Sequence, residues 1–142
     1  MTDVQENPQA LVIERVFAHP PQKLWRALTE SSLLAQWLMK NDFQSAPGHK
    51  FKFRSDPMPQ WDGVIDCEVL AIEPMKTLSY TWAALGLDSV VLFTLTPVET
   101  GTHLRMEQSG FRPDQSRAYG GAKYGWQRFL ENLDRLLNGE TA

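Results

Sequence analysis

The chain has one cysteine in 142 residues, Cys67, so no internal disulfide can form and a folded state must rest on its apolar core. Flanked by strand-like sequence, Cys67 reads as a small core residue rather than a reactive thiol. No run of about 18 apolar residues occurs, and no charged-then-apolar leader opens the chain. A cytoplasmic protein without membrane insertion is expected. Basic charge is also short: 14 Lys and Arg stand against 17 Asp and Glu, for a net charge of −3. A nucleic-acid partner, which needs a clustered basic face, is therefore not expected.

Histidine is just as sparse. His19, His49 and His103 fall in unrelated segments without a ligand spacing such as His-x-x-x-His, so no metal site and no cofactor are expected. The stretch Gly120-Gly121-Ala122-Lys123-Tyr124-Gly125 resembles a phosphate-binding loop only superficially, because no Ser or Thr follows the lysine and no buried parallel strand precedes it. The glycines are expected to let a helix pass close to a sheet or to adjust a cavity mouth.

What the sequence does have is a change of period. Residues 1–9 are polar and read as a flexible arm, leaving 10–142 as a single domain. Leu11 to Phe17 is apolar and β-branched, a strand closed by Ala18-His19-Pro20-Pro21. Leu24, Trp25 and Leu28, then Leu33, Leu34, Trp37 and Leu38, recur three and four apart and predict two short helices, the second capped by Ser31 or Ser32. From Phe43 onward the period is two. Five strands are predicted, at 49–54, 63–72, 76–83, 89–96 and 102–109, with turn residues after each. A final helix over about 116–138 would run roughly 33 Å, enough to cross a sheet, and Gly139 can stop it.

This order predicts an α+β helix-grip (START-like) fold: a curved six-stranded antiparallel sheet around a long C-terminal helix, with two short helices between strands 1 and 2. A curved sheet of this width exceeds what one helix can fill, so a cavity is expected on the concave face. Alternation places Phe51, Phe53, Leu78, Tyr80, Trp82, Val91, Phe93, Leu95 and Met106 inward, opposite Lys52, Thr81, Thr94, His103 and Arg105. Trp37, Gln108, Trp126, Phe129 and Leu130 complete the expected cavity lining. Buried Tyr80 and Trp82 would need polar partners, from Gln108, Ser109, a ligand or water.

Catalytic groups are not evident. Glu107 alternates outward with His103, His49 sits at a strand entrance, and Asp66 and Glu68 are solvated if Cys67 and Val69 point inward. Trp61, beside Met58 in a proline-rich loop, can serve either as an exposed protein-binding anchor or as a cap over the sheet's end.

The order Arg15-Val16-Phe17-Ala18-His19-Pro20-Pro21, Leu24-Trp25-Arg26-Ala27-Leu28-Thr29 and Leu34-Ala35-Gln36-Trp37 resembles the opening of the activator-of-heat-shock-protein-90-ATPase homologues, a branch of the SRPBCC superfamily. Val69 through Trp82, Val91 through Thr96, Gly101 through Leu104, and Gly125-Trp126 with Leu130 and Leu133 are similar to its later segments. The departure is Pro74-Met75, where the usual pattern has paired prolines. The resemblance implies the helix-grip fold and, in many members, an interior cavity. The expected partner is a small hydrophobic molecule, a lipid, polyketide or aromatic metabolite. A protein partner such as a chaperone, as an ATPase activator, and a cyclase- or hydrolase-like activity are the alternatives, with a monomer or weak homodimer as the assembly.

Overall fold

A computed structural model describes residues 9–59 and 61–139. Its elements follow the order β1 (Gln9–Phe17), α1 (Pro21–Thr29), α2 (Ser31–Trp37), β2 (Lys40–Asn41), β3 (Lys50–Arg54), β4 (Val64–Glu73), β5 (Thr77–Ala84), β6 (Leu87–Val98), β7 (Gly101–Phe111) and α3 (Ser116–Leu137). One antiparallel sheet runs β1-β7-β6-β5-β4-β3-β2, so the last strand returns beside the first. This is the helix-grip fold.

The sheet has seven strands rather than the expected six. The addition is β2, a two-residue pairing of Lys40 and Asn41 with Arg54 and Phe53, too short to leave a periodic signal. Of the expected arm, residues 1–8 lie outside the described residues, and Gln9 already belongs to β1. Nor do Ser31 or Ser32 cap α2. Glu30 is the N-cap, and the Ser31 hydroxyl instead donates to the Asn41 side chain at 2.8 Å, tying α2 to β2.

Alternation decides the faces as expected. β3 buries Phe51 and Phe53 while Lys50 and Arg54 face solvent, and β5 buries Leu78, Tyr80 and Trp82. The middle of the concave face is packed solid with aromatic rings. Phe51, Phe53, Phe93 and Phe43 surround Tyr80 at centroid distances of 5.2, 6.0, 6.0 and 6.2 Å. Trp37 reaches in from α2, edge-on to Phe93, and its indole N–H donates to the Ala27 carbonyl at 2.8 Å.

α3 is held unevenly. Trp126, Leu130, Leu133 and Leu137 form its buried stripe, whereas residues 116–125 include no buried side chain. At the far end, Lys23 donates to the Leu137 carbonyl, His19 bonds Asn138 at 2.8 Å, and Arg15 meets Asp134 at 3.3 Å. Gly139, with φ of +82°, ends the helix.

Candidate functional site

An open cavity of about 600 Å³ lies where three features meet: the β5–β6 hairpin, the loop between β3 and β4, and the loosely held first half of α3. The sheet contributes Ile65, Trp82, Ala84, Leu87 and Gln108, and the loop contributes Met58, Pro59 and Trp61. Met39, Leu85 and Phe129 close the sides. Ala118, Gly121, Ala122 and Gly125, spaced three and four apart, turn a strip of nearly bare backbone toward the space. A Cβ built on Gly121 would meet no atom within 4 Å, and one on Gly125 only the Phe129 ring at 3.9 Å. The glycines thus leave room rather than permit close packing on the sheet, the second of the two roles expected for them.

Among the described residues, no ionisable side chain lines this cavity. Among the described residues, its one polar side chain other than the tryptophan indoles is Gln108, itself 1% exposed. The Trp126 indole N–H donates to Gln108 Oε1 at 2.8 Å, Gln108 Nε2 donates to Ser89 Oγ at 2.9 Å, and the Ser89 hydroxyl donates to the Trp82 carbonyl at 2.8 Å. This chain links α3, β7, β6 and β5. The Trp82 and Trp126 rings sit 5.2 Å apart between centroids, and Phe129 meets Trp126 edge-on at 5.6 Å.

Of the cavity residues expected from sequence, Trp82, Gln108, Trp126 and Phe129 line it. Trp37, Phe51, Phe53, Leu78, Tyr80, Val91, Phe93, Leu95, Met106 and Leu130 are packed in the core instead. Strand alternation identifies the inward face along its whole length, but not where Trp37 and Phe43 fill the space above it. The small-residue strip of α3 and the Met58–Trp61 turn are absent from the expected lining; the glycine run at 120–125 was the signal for the first, and the proline-rich loop carrying Met58 and Trp61, expected as an anchor or a cap, was the signal for the second.

Acids and histidines lie elsewhere. Asp66 pairs with Lys52 on the outer face, Glu107 with Arg105 at 2.7 Å, and His103 with Glu14 at 2.9 Å. His49 bonds the Asp42 carbonyl at 3.0 Å. Among the described residues, no three His, Cys, Asp or Glu side chains converge as metal ligands, and no helix is long and apolar enough to cross a membrane. Cys67 is buried, and desolvation pushes its thiol well above the usual range, which disfavours the thiolate. Tyr80 is likewise raised by burial, and its hydroxyl has no hydrogen-bond partner among the described residues; Gln108, one of the partners expected for it, bonds Ser89 and Trp126 instead.

Trp61 folds inward. Its indole N–H donates to the Val64 carbonyl at 3.1 Å, and it packs against the core from a turn in which Met58 and Trp61 exchange backbone hydrogen bonds. The base of that loop closes through Ser55 N–H to the Gly63 carbonyl at 2.7 Å. Gly63, at φ +82°, passes so close that a Cβ would collide with the Ser55 carbonyl.

The profile of the family described as activator of Hsp90 ATPase homolog 1-like protein matches residues 18–138. The chain belongs to that family. Among solved structures, this chain is similar to protein MLL2253 from Mesorhizobium loti, at 60% identity and TM-score 0.86, covering 94% of this chain and 100% of that one. Protein BH1534 from Bacillus halodurans is 26% identical at TM-score 0.78, with 91% of this chain and 96% of that one covered. DynU16, a protein in the dynemicin biosynthetic locus, is 25% identical at TM-score 0.79 over 93% of this chain. The family chain spans 48% of DynU16, about half its length. No curated protein matches the chain in sequence.

Proposed function

We propose that this protein binds a small, uncharged hydrophobic molecule in the cavity under the first half of α3. The observation that carries the reading is a space of about 600 Å³ with aromatic and aliphatic walls and no ionisable lining among the described residues. Small-molecule sites are commonly about 300–1,000 Å³, largely apolar, with a few placed polar groups. The likeness to DynU16, a protein in the dynemicin biosynthetic locus, supports a small-molecule reading. Trp61, the residue best suited to anchor a chaperone, is engaged with Val64 and the core, so the small-molecule reading is favoured over the interaction module. The residues proposed to touch the ligand are Trp82, Gln108, Trp126 and Phe129, with Met39, Met58, Trp61 and the α3 strip.

Native mass spectrometry of freshly purified protein, together with thermal shift against sterols, fatty acids, flavonoids and polyketides, tests the proposal. A bound compound at a hundred times its Kd stabilises by about 2.7 kcal/mol. Gly121→Leu, which places a side chain in open space, should abolish that shift while leaving the unliganded fold intact. A panel without any stabilising compound, or a shift that Gly121→Leu leaves unchanged, overturns it.

A further inference from the structure

The relay behind the cavity wall has a fixed direction. Indole N–H can only donate, so the side-chain oxygen of Gln108 must face Trp126 and its amide nitrogen must face Ser89. The Ser89 hydroxyl spends its proton on the Trp82 carbonyl and therefore accepts from Gln108. A glutamine amide has two N–H groups, and Ser89 takes one. Among the described residues, the other has no acceptor, and the side chain that carries it lines the cavity while almost wholly buried. Oε1 keeps a second lone pair, but an under-used carbonyl oxygen is tolerated more readily than an orphaned buried N–H.

We infer that Gln108 is the specificity-determining residue of the cavity, and that its ligand is a flat, uncharged ring system carrying a hydrogen-bond acceptor such as a ketone, placed to receive the free amide proton. This rests on the ligand-binding reading above and adds what the ligand must contain. Flatness follows from the walls. Trp82, Trp126 and Phe129 supply ring faces and edges, and the Gly121–Gly125 strip lets a plane lie against backbone. Charge is excluded because no counter-ion lines the cavity among the described residues, and an unpaired buried charge is costly.

Fluorene and 9-fluorenone, alike in shape but differing by one carbonyl, separate the possibilities. A purely apolar cavity prefers fluorene, because the ketone forfeits its hydrogen bond to water on entry. The wild-type protein should reverse that order and bind 9-fluorenone about tenfold more tightly, the worth of about 1.4 kcal/mol. Gln108→Leu should restore the fluorene preference. Should that variant fail to fold through loss of the Trp126 acceptor, the wild-type amide resonances serve: one Gln108 side-chain proton should move downfield with 9-fluorenone but not with fluorene. A wild-type preference for fluorene, or equal binding, overturns the role of Gln108 and leaves the cavity's function standing. If neither probe binds while another compound does, the flat-ring assignment fails. If nothing binds at all, the proposed function falls with it.

Discussion

Lys23 Nζ donates to the Leu137 carbonyl at 2.5 Å, so a side chain from the first helix closes the last turn of the final one, 114 residues away in sequence. A cation there satisfies a carbonyl without an intrahelical partner and complements the negative end of the helix. Lys23→Met keeps the aliphatic stem and removes the charge. It should lower stability by about 0.5–1 kcal/mol, seen as an earlier urea midpoint with an unchanged m-value.

With one end clamped and residues 116–125 contributing only the partly buried Tyr119 and Ala122 to the core, α3 should not behave as one rigid rod. Amide hydrogen exchange over 116–125 should be at least tenfold faster than over 126–137, because local opening tracks the scarcity of buried contacts. A cavity ligand should slow the first segment and leave the second little changed. Uniform protection along the helix would contradict this.

Gly120 separates backbone cost from cavity shape. It lies within α3, is exposed, and has no atom within 4 Å of a built Cβ, yet it is not part of the cavity wall. Gly120→Ala should raise stability by about 0.5–1 kcal/mol, measured by thermal or urea unfolding, with ligand affinity changed less than twofold.

Tyr80 presents a buried hydroxyl without a partner among the described residues, in the midst of four phenylalanine rings. Removing an unsatisfied polar group recovers its desolvation cost, so Tyr80→Phe should be neutral or stabilising by up to about 1 kcal/mol. A loss of more than about 1 kcal/mol in the same unfolding experiment would mean that the hydroxyl is satisfied in solution by a group that matters to the fold.

The fold was legible because burial and period coincide. Phe51 and Phe53 alternate with lysines, and Leu130, Leu133 and Leu137 repeat at helical spacing, so each element's inner face can be read without its neighbours. The cavity was legible only in part, at Trp82 and Gln108 near the ends of β5 and β7 and at Trp126 and Phe129 midway along α3. Phe93 shares that inward face but sits under Trp37 and the aromatic cluster, with Met106 buried beside it on β7, a relation set by how α2 docks across the sheet. Periodicity contains nothing about docking depth. Gly121 and Gly125 were harder still, since a wall made of missing side chains shows no apolar pattern.

The β5–β6 hairpin turns through Leu85 and Gly86, with φ of +53° and +81°, between paired Ala84 and Leu87. This is the left-handed geometry that asparagine and glycine adopt readily and that costs an ordinary side chain about 1–2 kcal/mol. The leucine is 70% exposed, so the fold gains little by burying it, yet it stands on the cavity rim. An engineer seeking a hardier protein would exchange it first, and would be removing a piece of the doorway.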